Sequence, residues 1–324
     1  MLPSTIYKSK QFFALVIKLF IVIGCLYFIY NKLYHHQQIR FSDFYQKLIE
    51  NQDFSIKTLL FLLIFSFINW MLEITKWKNL ATHVKNISFP SAIKQSLASL
   101  TVSLITPNRI GEYGAKAIYF NKEIRIKILG LNLLGNLYQL ITTSIFGVFG
   151  ISYLLLTFNI ELPLKPILFL FGICVVLFLI VWIFFKMNIS FKGYSIKSLF
   201  LFTQKISGKL HFKTAVISIL RYIVFVHQFY YLLVVFHVDI TYSQALTSIF
   251  SMYFIASIIP MLSLLDVVVK SSIAIWVFSF FNSDPTNILS IVLIMWIFNF
   301  ALPSILGSYF VLTFKNQNLI ATKE

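Results

Sequence analysis

The chain has 324 residues, of which 58% are hydrophobic and only 12% charged, and its formal net charge is +16. Apolar runs of roughly 20 residues recur, the length at which a helix crosses a bilayer core, so a soluble globular protein is excluded. Spans and short loops use nearly all of the chain and leave no room for a soluble catalytic domain of ~100 residues or more. The basic residues sit in loops between spans, where they signal topology and call for no nucleic acid.

In chain order, the first apolar run, 12–30, follows Lys8 and Lys10 as a signal peptide would. Its length and its lack of a small-x-small cleavage site predict a retained span. Cys25 and Cys174 fall inside apolar spans, as small buried hydrophobes with no disulfide or metal role. A second span, 58–75, carries Asn69 and Glu73 on one face. The next segment, 91–121, stops at Thr106-Pro107-Asn108-Arg109-Ile110-Gly111 and restarts with Glu112 and Lys116. In the span 128–158, Asn132, Asn136, Gln139 and Thr143 share a helix face predicted to point inward, as interhelical glue or as ligand contacts.

A span at 166–185 leads to a basic segment, 186–213, with six lysines and no acid. Lys205, Lys209 and Lys213 repeat every fourth residue beside Phe202 and Ile206. This fits a surface-lying amphipathic helix on anionic headgroups, or an ordinary positive-inside loop. The span 214–236 has Arg221 and Gln228 on one face with His227 beside it. Arg221 reads there as a snorkelling residue within two turns of the cytoplasmic end, and His227 as a proton relay or a hydrogen-bonded structural residue. A second interrupted segment, 243–281, stops at Pro260-Met261-Leu262-Ser263 and restarts through Asp266 and Lys270, before a last span at 287–313. Both breaks thus have a proline, an acid a few residues on, and a lysine four residues after the acid. Paired interrupted segments in corresponding halves point to a binding site at mid-membrane depth.

Charge counting decides between crossing and re-entrant segments. If both broken segments re-enter, the basic clusters Lys76/Lys78/Lys85/Lys94, Lys122/Arg125/Lys127, the six-lysine segment and Lys315/Lys323 all fall inside, with both termini cytoplasmic. If they crossed, the six-lysine segment would lie outside, against the rule. The expected architecture is therefore a single all-α polytopic membrane domain. It has six full spans and two opposed re-entrant broken-helix hairpins, arranged as an inverted repeat of 58–158 and 214–313.

The two hairpins place Arg109, Glu112, Lys116, Asp266 and Lys270 at or near the membrane interior, each costing ~2.5–3.5 kcal/mol at a helix centre on insertion scales. Glu112 with Lys116 and Asp266 with Lys270 are i,i+4 pairs that either neutralise one another or contact substrate. Arg109 lies in the break beside free N–H groups of a restarting helix, an arrangement suited to a phosphate. No His/Asp/Glu/Cys set has metal-ligand spacing, and neither a Ser-His-acid set nor a Walker-type loop is present, so no cofactor and no enzymatic activity are expected.

The string from Ser103 to Glu112 resembles the Thr-Pro-Gly-Arg-Ile-Gly-Glu type signature of the flippase-like membrane domain of bifunctional lysylphosphatidylglycerol synthase/flippase proteins. Ser257-Ile258-Ile259-Pro260 followed by Asp266 is similar to that family's second signature, and the resemblance extends over about 58–313. It implies a bacterial inner-membrane protein with eight membrane-inserted segments that moves, or helps move, a polar-headed lipid between leaflets. The chain departs from the pattern in having Asn108 where the family often has glycine, and in lacking the downstream aminoacyl-transfer domain, so lipid aminoacylation is not implied. The expected lipid site comprises Thr106, Pro107, Asn108, Arg109, Gly111, Glu112, Lys116, Pro260, Ser263, Asp266 and Lys270. Asn132, Asn136, Gln139, Glu73, His227 and Gln228 form its supporting polar face. The expected partners are membrane lipids and either a homo-oligomer or an envelope-synthesis protein. An accessory subunit without transport is the alternative reading, and a membrane-embedded lipid-modifying transferase ranks below both.

Overall fold

The computed structural model describes residues 54–106, 109–158, 201–259 and 266–314, together with two short strands and six helical residues between 16 and 27. Most of the expected span 12–30, all of 166–185, and the break residues Pro107, Asn108, Pro260 and Ser263 lie outside the described residues. The described part is helical apart from one antiparallel pairing of β1 (Ser190–Phe191) with β2 (Tyr194–Ser195).

Helix α1 (Ile56–Thr82) is a run of Leu, Phe and Ile with no internal Gly or Pro. Helix α2 (Phe89–Leu104) starts at Ser88, whose side chain accepts from the Ser91 N–H, with Pro90 in the first turn where its missing N–H costs nothing. It ends just before Pro107, which disfavours helical backbone at the preceding residue. Helix α3 (Ile110–Ala117) follows, and a 3-10 turn at Lys122–Ile124 leads into α4 (Arg125–Phe158). The second half contains α5 (Gly208–Val235), α6 (Tyr242–Ile258), α7 (Asp266–Ser279), α8 (Pro285–Trp296) and α9 (Leu302–Leu312). Thr241 and Gln244 form a reciprocal capping box at the start of α6, and the Asp284 carboxylate accepts from the Thr286 N–H ahead of Pro285 at the start of α8.

Helices α8 and α9 belong to one segment, joined by a π turn at Ile297–Ala301. Its cause is Pro303, which cannot donate to the carbonyl of Asn299 four residues back. The Asn299 carbonyl accepts instead from Trp70 Nε1 at 3.0 Å, and the Phe298 carbonyl accepts from Ser66 Oγ, so α1 satisfies the backbone groups that the turn releases.

Four stretches are long and apolar enough to cross a membrane, namely Ile56–Thr82, Lys122–Phe158, Gly208–Val235 and Pro285–Leu312. They coincide with four of the six expected spans. In the most apolar part of Pro285–Leu312, 72% of the residues are buried, against 22–39% in the other three, so this last span is enclosed and the others present apolar faces outward. Exposed Leu63, Ile64 and Phe67 on α1 and Ile145, Val148 and Phe149 on α4 form such faces.

The packing keeps its pattern when the halves are exchanged. Helix α1 packs on α5, α2 packs on α9, and α6 packs on α4, so each half's first broken helix lies on the other half's last span. Both crossings are close because glycines sit there, Gly307 at the first and Gly147 and Gly150 at the second. A Cβ at Gly307 would fall 2.1 Å from the Leu97 carbonyl oxygen, and one at Gly150 would fall 2.5 Å from that of Thr247. Small residues permit this approach where apolar surroundings supply no hydrophobic drive between helices. Thr101 Oγ1 donates to the Ser304 carbonyl at 2.7 Å across the first crossing.

Two expectations need correction. Helix α1 continues to Thr82, so Lys76 is a buried helical residue and no loop charge. Lys205, Lys209 and Lys213 do not share a surface helix: Ser207 has extended backbone as the N-cap of α5, Lys205 precedes it in a turn, and Lys209 and Lys213 lie in the first turns of α5.

Candidate functional site

The first break is tied by its own threonine. Thr106 Oγ1 accepts from the Gly111 N–H at 2.9 Å and donates back to the Ser103 carbonyl at 3.1 Å, which holds the start of α3 against the end of α2. Arg109, the N-cap of α3, has φ 57° and ψ 24°, left-handed backbone that costs a non-glycine residue roughly 1–2 kcal/mol. Such strain persists only where surrounding structure holds it. Here the Arg109 side chain is paired, with Nη2 3.4 Å from Glu112 Oε2.

Glu112 takes its second cation from the same helix: Lys116 Nζ donates to Oε1 at 2.8 Å. Lys116 is 2% exposed; it also donates to Asn132 Oδ1 on α4 at 2.8 Å and stands 4.5 Å from the centroid of the Trp77 ring on α1. Trp77 Nε1 in turn donates to Gln95 Oε1 at 2.8 Å. On α1, Glu73 Oε2 lies 2.8 Å from Lys76 Nζ and 2.7 Å from Arg221 Nη1 of α5. Arg221 Nε donates to Asn69 Oδ1 at 2.9 Å, and its Nη1 reaches Gln139 Oε1 at 3.5 Å. An amide chain extends the network, from Asn69 Nδ2 to Asn299 Oδ1, from Asn299 Nδ2 to Gln228 Oε1, and from Gln228 Nε2 to the Leu62 carbonyl.

Both carboxylates are therefore occupied by cations. Lys76, Arg109, Lys116 and Arg221 against Glu73 and Glu112 leave two positive charges in excess among the described residues. Glu73, Arg109, Glu112, Lys116 and Arg221 line a small polar cavity of about 30 Å³ together with Trp70, Ser96, Ser99 and Asn136, and Asn136 Nδ2 donates to Tyr113 Oη at 3.0 Å. Arg109, 45% exposed, is its most open charged group. Two buried polar groups at the cluster, Ser96 Oγ and Asn132 Nδ2, have no hydrogen-bond partner among the described residues.

The second broken segment differs. Asp266 and Lys270 pair at 2.9 Å with about a quarter of each side chain exposed. Lys270 borders a second, small cavity of about 20 Å³, whose walls are chiefly apolar: Phe225, Met252, Val267, Met295, Trp296 and Phe300. Phe300, on the π turn, joins the two regions, because the Lys270 ammonium lies 5.2 Å and the Arg109 guanidinium 5.7 Å from its ring centroid.

The structure thus gathers Arg109, Glu112, Lys116, Asn136 and Glu73 around one cavity, bonds Asn132 and Gln139 to its Lys116 and Arg221, and joins Gln228 to it through Asn299. It does not bring in His227, whose Nδ1 is 2.8 Å from its own helix's Ile223 carbonyl and whose Nε2 is 2.9 Å from Tyr242 Oη. The snorkelling expected of Arg221 is overturned. Because α5 starts at Gly208, Arg221 lies about 20 Å from the start of the helix and turns inward to Glu73. Lys76, Trp70, Ser96 and Asn299 are further members not anticipated from sequence. The Asn69/Glu73 and Arg221/Gln228 faces were the available signal, since each offers what the other needs. Among the described residues no group of three metal-ligating side chains occurs. The chain matches no family model, no curated protein and no solved structure.

Proposed function

We propose that the protein is a flippase-like lipid translocase that moves a phosphate-containing lipid between leaflets of a cell membrane, with both termini cytoplasmic. In this reading α2–α3 and α6–α7 are re-entrant hairpins entering from opposite faces, and the halves are an inverted repeat. Helix lengths favour re-entry: α2 and α6, of 16 and 17 residues, span about 24–26 Å, short of a core of about 30 Å. The exchangeable packing of the two halves supports the repeat. The observation that carries the function is the net-positive buried cluster lining a polar cavity, separated by Phe300 from an apolar one. The first supplies cations for a headgroup phosphate, and the second an apolar wall for an acyl chain to run beside.

Reconstitution tests this. In liposomes carrying a trace of NBD-labelled phosphatidylglycerol, the protein should speed exposure of inner-leaflet label to external dithionite, and Arg109→Ala should remove most of that acceleration. Rates equal to protein-free vesicles would instead favour the accessory-subunit reading.

A further inference from the structure

We infer that the polar cavity at the first break binds one small monovalent anion, a halide of the size of chloride. The inference does not depend on the translocase reading. The charged groups on the cavity wall are Arg109, Lys116 and Arg221 against Glu73 and Glu112, a surplus of one positive charge. Lys76 meets Glu73 from outside this wall, which draws on that carboxylate and makes the interior more positive, not less. A buried charge without a counter-charge is costly, and one monovalent anion supplies what a neutral water does not.

Size agrees with charge. A volume of about 30 Å³ takes one or two bodies the size of water. Chloride fits that space, whereas a tetrahedral oxyanion such as sulfate does not, so a lipid phosphate would meet Arg109 from its exposed side, outside the cavity. The donors agree as well. Trp70, Ser99 and Asn136 donate to the protein, at the Asn299 carbonyl, the Ser96 carbonyl and Tyr113 Oη respectively. The hydroxyl of Ser96, a lining residue 3% exposed, has no partner among the described residues. A buried hydroxyl without an acceptor has lost the hydrogen bonds it had in water, and an anion restores one.

The test is equilibrium binding of radiolabelled chloride to the full chain in mild detergent, at constant ionic strength held with gluconate. Wild type should bind about one chloride per chain, displaced by unlabelled bromide and at least about tenfold less well by sulfate. Arg109→Gln, at a nearly half-exposed side chain, removes the surplus charge and should weaken chloride by about tenfold or more. Ser96→Ala keeps every charge and should weaken it by about threefold to tenfold. Absence of saturable binding to wild type would mean that the cavity holds water alone and overturns the inference. Sulfate competing as well as bromide overturns it too, because a diffuse positive potential does not sort anions by size. Unchanged affinity in both variants, each eluting from a sizing column as wild type does, would place the halide elsewhere and equally overturns it.

Discussion

The two broken segments share a local recipe and reach different ends. Each has a lysine four residues after an acid, and each forms that pair, at 2.8 Å in the first and 2.9 Å in the second. Yet Lys116 is 2% exposed and Lys270 is 23% exposed. The difference lies in the neighbours. Helices α1, α4 and α5 offer Glu73, Asn132 and Arg221 to the first broken segment, while α5, α6 and the last span offer Phe225, Met252, Trp296 and Phe300 to the second. A motif repeated in both halves therefore builds a charged chamber once and an apolar one once.

This contrast can be broken at several points. The largest effect is expected from Glu73→Gln, which leaves Arg221 and Lys76 without their carboxylate and should cost about 3–5 kcal/mol. Asp266→Asn, at the exposed pair, should cost no more than about 1 kcal/mol. Thermal melting of both variants in one detergent decides the matter, and equal losses would sink the asymmetry.

Gly150→Ala and Gly307→Ala probe what the halves share. Each pushes a methyl group toward a carbonyl oxygen, and each should lower stability by about 1–3 kcal/mol. A large loss at one glycine with none at the other would show that the exchangeable packing is not energetically equivalent.

Phe300→Leu should remove two cation–π contacts worth about 0.5–1 kcal/mol each while keeping an apolar side chain on the π turn. The expected result is a melting temperature within a few degrees of wild type with lipid transfer reduced several-fold. Unchanged transfer would mean that the ring does not couple the cavities. The smallest effect belongs to His227→Phe, within about 1 kcal/mol and without loss of transfer, since its hydrogen bonds are to its own helix and Tyr242. A transfer defect there would restore the proton-relay reading.

What the sequence by itself determined is local. Hydropathy placed the four described spans, and Pro107 after Thr106 and the Pro260 break marked where helices α2 and α6 end, since proline denies helical backbone to the residue before it. The i,i+4 spacing likewise specified the Glu112–Lys116 and Asp266–Lys270 pairs, because helix geometry alone brings those positions together. Only the tertiary structure decided that Arg221 meets Asn69, 152 positions away, and beside it Glu73. The same is true of Asn299, which Pro303 displaces into the centre of the network by way of a π turn. Such contacts depend on which helix faces meet. That is set by close crossings at glycines and by the cost of leaving a buried charge unpaired, neither of which has a spacing of its own in the chain.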